Sequence, residues 1–136
     1  MKEPIWIDKR EVLAIHEQLL VLHGGASGLR DEGLLESALA RPRQQFAYAS
    51  PDIIDMAAAY TSGIVRNHPF VDGNKRTGFV VGVLFLEMNG YLFTASEAEA
   101  AQAVLELAAG TVDEAGFAAF LRDHVKRVRS PRRSGA

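Results

Sequence analysis

One stretch of this 136-residue chain gathers groups able to do chemistry together: Arg66-Asn67-His68-Pro69-Phe70-Val71-Asp72-Gly73-Asn74-Lys75-Arg76-Thr77-Gly78. A histidine, with an ordinary pKa of about 6.5, can accept a hydroxyl proton near neutral pH. Asp72 follows with a carboxylate, and Mg²⁺ is usually held by one or two carboxylates plus the phosphates of a substrate. Gly73 permits close approach of a ligand to the backbone, and Asn74 adds an amide donor. Lys75 and Arg76 add two cations, the second with a planar fork suited to phosphate oxygens. The order is a proton acceptor followed by a cradle for a polyphosphate.

Position strengthens that reading. From Phe79 to Leu86 the apolar residues keep a helical period until Asn89-Gly90, a stop signal, so the glycine-containing loop feeds straight into a buried helix. The first N–H groups of a helix lack internal acceptors and lie at the positive end of its dipole, which suits an anion. Each residue alone has a plainer reading: His before Pro as loop, Asp-Gly as turn, Lys-Arg as a solvated face. Together they differ, because two cations at the dipole's positive end call for an anionic partner. The spacing is not that of a Walker A loop, and no strand-like run leads into it.

The rest of the chain must position this stretch. Asp8 and Glu11 have capping-box spacing, and Val12, Leu13, Ile15, Leu19, Leu20 and Leu22 form a helical face ending at Gly24-Gly25. His16 and His23 on that helix lie too far apart for a two-histidine metal site, and read as structural or exposed. Asp31 caps a short helix that Pro42 is expected to end, leaving Arg43–Ala49 irregular or extended. Ser50-Pro51-Asp52 opens a helix running to Asn67, which delivers His68. Thr77 is expected to bond back into its own helix. Tyr91–Phe93 reads as a brief extended turn; Ser96 with Glu99, and Thr111 with Glu114, open two further helices. The fold expected is all-α, a single bundle of about six helices around the central buried helix that begins at the motif.

At 136 residues and 48% apolar content the chain fits one domain with a real core. No apolar run is long enough to span a membrane, and the N-terminus lacks the basic start and apolar segment of an export signal. With no cysteine, disulfide and thiolate chemistry are excluded, which fits a cytoplasmic protein. The net charge of −2 is uneven: Lys126, Arg127, Arg129, Arg132 and Arg133 fall in the last eleven residues beside no acid, so the remainder carries −7. The expected division is a domain over 1–125 and a basic, disordered tail over 126–136. Without aromatic interleaving, and with an acidic body, the tail reads as solvated, and nucleic acid is not an expected partner.

His68-Pro69-Phe70-Val71-Asp72-Gly73-Asn74-Lys75-Arg76 resembles the signature of the Fic/Doc family, HPFx(D/E)GNxRxxR, and most resembles its Doc (death-on-curing) branch, toxins of bacterial and phage toxin-antitoxin pairs. Gly28-Leu29-Arg30-Asp31-Glu32-Gly33-Leu34-Leu35-Glu36-Ser37-Ala38-Leu39-Ala40-Arg41-Pro42 is similar to the region that Doc-type proteins carry ahead of the motif. Two departures are Doc-like. Lys75 stands where nucleotide-transferring members usually have a second glycine, and Phe79 where they have a second arginine.

The resemblance implies His68 as general base, Asp72 as Mg²⁺ ligand, and Gly73, Asn74, Lys75 and Arg76 as the hold on ATP. It implies transfer of the γ-phosphate to a Ser or Thr hydroxyl of a translation protein, elongation factor Tu being the target the branch suggests. Restraint would come from a cognate antitoxin of Phd type, and residues 43–49 would occupy the place of the family's flap, here a short segment. No inhibitory Ser/Thr-x-x-x-Glu-Gly/Asn stretch is present within the chain. AMP transfer to a protein hydroxyl and a non-catalytic binding module on the same fold stay open as alternatives.

Overall fold

The computed structural model describes residues 2–49 and 51–128. Among them are six α-helices: α1 Lys9–His23, α2 Glu32–Tyr48, α3 Ile53–Asn67, α4 Asn74–Met88, α5 Glu97–Ala109 and α6 Glu114–Asp123. Two short strands, β1 Tyr91–Phe93 and β2 Val125–Arg127, pair antiparallel, with Tyr91 opposite Arg127. The architecture is all-α, as the periodicity predicts. No helix among the described residues is long and apolar enough to cross a membrane.

Side-chain caps fix most of the helix starts. Asp8 with Glu11, Asp52 with Asp55, and Ser96 with Glu99 form reciprocal capping boxes. Two starts differ from the sequence expectation, and in both an aspartate is the cap: Asp52 takes the N-cap of α3, and Asp113 rather than Thr111 takes that of α6. Ser50, the first residue of the Ser50-Pro51-Asp52 stretch expected to open α3, lies outside the described residues.

The centre of the molecule is the pair α3–α4. Eleven of the fifteen residues of α3 are buried, against seven of fifteen in α4, so the helix that leads into the motif is the more deeply enclosed of the two. They approach closely because α4 presents Gly78 and Gly82 to Thr61, whose Oγ1 donates a hydrogen bond to the Gly78 carbonyl at 2.8 Å. On the other side of α3, Gly63 lies against Ala38 of α2. The N-terminal segment crosses this layer. Tyr60 Oη bonds the Ile7 backbone N–H at 3.1 Å and its carbonyl at 3.2 Å, while the Asn89 amide clasps Ile5 on both sides at 2.8 and 3.0 Å.

Three sequence expectations are corrected. Pro42 does not end α2, which continues through it to Tyr48. A proline within a helix costs ~3 kcal/mol, but Leu39 and Pro42 are buried on one face and Phe46 follows them onto Trp6, ring centroids 5.8 Å apart. Burial of side chains of that size is worth ~1.5–3 kcal/mol each, enough to carry the helix past the break. Residues 43–48 are therefore helical, and the short flap segment expected there is not an extended hairpin. Finally, Lys126 and Arg127 belong to a paired strand rather than to a tail beginning at 126; residues 129–136 lie outside the described residues.

A methyl group added at Gly82 would meet Thr61 Oγ1 and the Ala57 carbonyl. Gly82→Ala is accordingly expected to lower the melting temperature: overpacking costs ~1–3 kcal/mol and displaces a buried hydrogen bond, more than the ~1 kcal/mol gained in helix propensity. Thermal denaturation followed by circular dichroism measures it, and an unchanged or raised midpoint would refute the close α3–α4 contact.

Candidate active site

α3 runs out at Asn67, and the residue after it has to turn the chain. His68 does so in the left-handed region, at φ 52° and ψ 54°, the one positive-φ residue other than glycine among the described residues. That conformation costs a residue with a β-carbon ~1–2 kcal/mol. The His68 side chain stands exposed at the surface rather than turned into the core.

Phe70 anchors the loop that follows. Its ring is 1% exposed and lies flat on His16 of α1, centroids 3.7 Å apart and planes 9° from parallel. Its backbone is held from the other side by the buried Asn74 side chain: Oδ1 accepts from the Phe70 N–H and Nδ2 donates to the Phe70 carbonyl, both at 2.9 Å. Asn74 is therefore not the free amide donor that its place in the motif suggests. One of its two Nδ2 hydrogens is spent on shaping the loop, and at 3% exposure the side chain sits beneath the loop rather than out in front of it. His16 has a second contact, Nε2 donating to the Asp72 carbonyl at 2.8 Å. A histidine predicted to be structural or exposed thus supports the floor of the loop, something no helical spacing could reveal.

The Asp72 carboxylate is exposed and held by backbone amides, Oδ2 by Ala26 at 3.2 Å and Oδ1 by Gly73 at 2.8 Å. Those two amides, with the cations of Lys75 and Arg76 adding to them, hold its pKa below the ordinary carboxylate value. Gly25 has to be a glycine here: at φ 124° a β-carbon would come within 2.9 Å of Asp72 Oδ2. The Gly73 N–H is taken by Asp72, which removes it from the expected cradle.

Gly73 itself, at φ 80°, is the N-cap of α4 and offers no side chain to the helix start. The N–H groups of Asn74, Lys75 and Arg76 thus keep the unsatisfied positions of a first helical turn, and the Lys75 and Arg76 side chains stand exposed beside them. Thr77 is fully buried, and its Oγ1 finds no partner among the described residues, so it is not bonded back into the helix as expected. Phe79 packs against Phe93 at 5.6 Å. The position where related motifs carry a second arginine is here committed to apolar packing.

From below, the segment at 28–31 grips the loop. Leu29 bridges Phe70, the Gly28 carbonyl accepts from the Val71 N–H at 3.0 Å, and the Arg30 and Asp31 N–H groups both donate to the Pro69 carbonyl, at 2.7 and 2.9 Å. A concavity of about 530 Å³ lined by Arg41, Gln45, Asp55 and Glu114 lies at the other end of α3 and contains none of these groups.

The family model described as Fic/DOC family matches residues 6–86, more than half of the chain. The chain belongs to the Fic/DOC family. It is 41% identical over 88 residues to a protein named Toxin Doc from Mycolicibacterium smegmatis, covering 62% of this chain and 65% of that one. It is 34% identical over 85 residues to Protein kinase doc from Escherichia phage P1, covering 62% of this chain and 68% of the relative. The match thus spans slightly less than two thirds of the mycobacterial relative's length. The whole Fic/DOC motif, from His68 to Arg76, lies inside the matched region.

The pH response of the Asp72 tie follows from the direction of its shift. Because its folded pKa lies below the ordinary 3.8, the tie to Ala26 is fully present above that value and is lost only as pH falls through the lower, folded one. An NMR titration of the Ala26 and Gly73 amides is expected to give a midpoint under 3.8. A midpoint at or above that value would contradict the geometry at this carboxylate.

Proposed function

We propose that this Fic/DOC protein transfers the γ-phosphate of ATP to a Ser or Thr hydroxyl of another protein. The observation that carries the reading is the open first turn of α4: three backbone N–H groups without a side-chain cap, flanked by the exposed Lys75 and Arg76, with an exposed histidine six positions earlier at the start of the same loop. Such a turn suits the phosphates of a nucleoside triphosphate. The Asn74, Lys75 and Arg76 amides and the two cationic side chains hold them, and Gly73 keeps the approach free of a side chain. The Asn74 side chain acts one step back, through Phe70.

His68 is the general base. It takes the proton of the target hydroxyl as that oxygen forms its bond to the γ-phosphorus; the bond from that phosphorus to the β,γ-bridging oxygen breaks, and ADP leaves with the electron pair. The cations of α4 offset the charge that develops on the transferred group. Among the described residues no cluster of three or more His, Asp or Glu side chains gathers to bind a metal. Asp72, ionised and exposed, fits the other mode of Mg²⁺ binding, a single carboxylate completed by the phosphates. Mg²⁺ held there would neutralise phosphate charge.

Phosphoryl transfer is favoured over AMP transfer by two side chains. Lys75 puts bulk where a second glycine would leave room for a diphosphate, and Phe79, packed on Phe93, leaves no arginine for the terminal phosphate. The name of one relative, Protein kinase doc, supports the same choice. In the cell we place the protein in the cytoplasm as a toxin acting on a translation protein, elongation factor Tu being the target that the Doc resemblance implies, and restrained by an antitoxin of Phd type.

Incubation with cell extract and ATP labelled separately at the α- and γ-phosphorus tests the reading. The γ label alone is expected on protein, and His68→Ala is expected to lower its incorporation by about 10²–10⁴-fold while ATP binding is kept. Incorporation of the α label would establish AMP transfer instead. Full activity of the variant would remove His68 as the base.

A further inference from the structure

His68 occupies a place where helices usually carry glycine, and proline follows it. A residue with a β-carbon stays there only if its surroundings determine it. The carbonyls of residues 67, 68 and 69 all have the same partner. The Arg30 guanidinium donates from Nε to the His68 carbonyl at 2.7 Å and from Nη2 to the Asn67 carbonyl at 3.0 Å, and the Arg30 backbone N–H donates to the Pro69 carbonyl at 2.7 Å. One planar fork thus closes two successive acceptors at the negative end of α3, where a cation is favoured.

The fork stands on a fixed base. The next residue, Asp31, caps α2 by accepting from the Leu34 N–H at 3.0 Å, and the Leu34 carbonyl accepts from Asn67 Nδ2 at 2.9 Å. The start of α2 and the end of α3 are therefore tied from both directions, with the Arg30 side chain reaching across the turn that presents the imidazole. A lysine in its place would keep the charge but not the planar pair of donors.

We propose that Arg30 is a positioning residue for His68: its guanidinium holds the left-handed turn at residue 68 and so fixes where the imidazole stands. This rests on the reading of His68 as the base, and touches neither phosphate nor target itself. Displacing a reacting group by ~1 Å can cost ~10²-fold in rate, so losing the fork should lower the rate at saturating ATP without altering the concentration that half-saturates.

The test uses the full chain with Arg30→Ala and Arg30→Lys. NMR reports the His68 backbone through its ¹³Cα and ¹³Cβ shifts and its amide–α-proton coupling. Transfer of label from [γ-³²P]ATP to extract protein reports activity. Expected for Arg30→Ala are departure of His68 from left-handed values and a loss of at least about tenfold at saturating ATP, with the half-saturating concentration unchanged. Arg30→Lys should recover only part of both, and carries the same two readings should Arg30→Ala not fold. Left-handed values kept at His68 in the variants overturn the proposal, as does a loss that appears in ATP half-saturation alone. If the unaltered protein transfers no label, it is the phosphotransfer reading that fails, and the His68 coupling still decides whether Arg30 holds the turn.

Discussion

Two helix ends of opposite polarity meet within six residues in this protein, and they are treated differently. At the carboxyl end of α3 the carbonyls of Asn67, His68 and Pro69 are all closed by hydrogen bonds from Arg30, with Asp31 adding to the last. At the amino end of α4 Gly73 supplies no side-chain cap, the Asp72 carboxylate takes only the Gly73 N–H, and the cations Lys75 and Arg76 stand exposed in the first turn, where the dipole disfavours them. Leaving donors open beside repelled cations makes physical sense if an anion completes the set. The exposed side of the junction thus carries two cations and the free donors of a helix start beside one carboxylate, Asp72, with His68 at the beginning of the same loop.

Such a junction holds its shape only if the short loop is rigid, and rigidity comes from Phe70. Its ring is fixed in the core by stacking on His16, and both its backbone groups are bonded by Asn74. The helices on either side are brought within reach by small residues, since Gly78 and Gly82 let α4 lie against Thr61 of α3. Larger residues there would separate the two ends that make the site. The packing of the bundle and the geometry of the loop are therefore one problem, solved by the same few residues.

Much of this was legible from the sequence, and the failures have physical causes. Helix periodicity and capping spacing identified the six helices, because amphipathic patterns of that length have no strand alternative. Pro42 misleads because a proline's local cost says nothing of what its face buries, and Tyr91–Phe93 reads as a turn because the partner that makes it a strand lies at 125–127. At the site, residue types single out His68, Asp72, Gly73, Lys75 and Arg76, which follow one another along a single loop and helix start. They did not reveal that the Asn74 amide faces inward, nor that His16 and Arg30 support the loop, since those contacts join residues 37 to 56 positions apart that carry no pattern in common. The Gly28–Asp31 segment could be recognised as family-like, yet its work, holding the backbone of 67 to 71, is visible only in three dimensions.

The central claim is that the first turn of α4 is an open seat for the phosphates of a nucleoside triphosphate. Titration of ¹⁵N-labelled protein with ATP and Mg²⁺, followed by amide chemical shifts, tests it most directly. The account predicts that the largest, saturable shifts fall on the N–H groups of Asn74, Lys75 and Arg76, with no comparable change around Arg41 and Glu114 at the far end of α3. Shifts confined to that distant concavity, or none at the start of α4 at millimolar nucleotide, would contradict it.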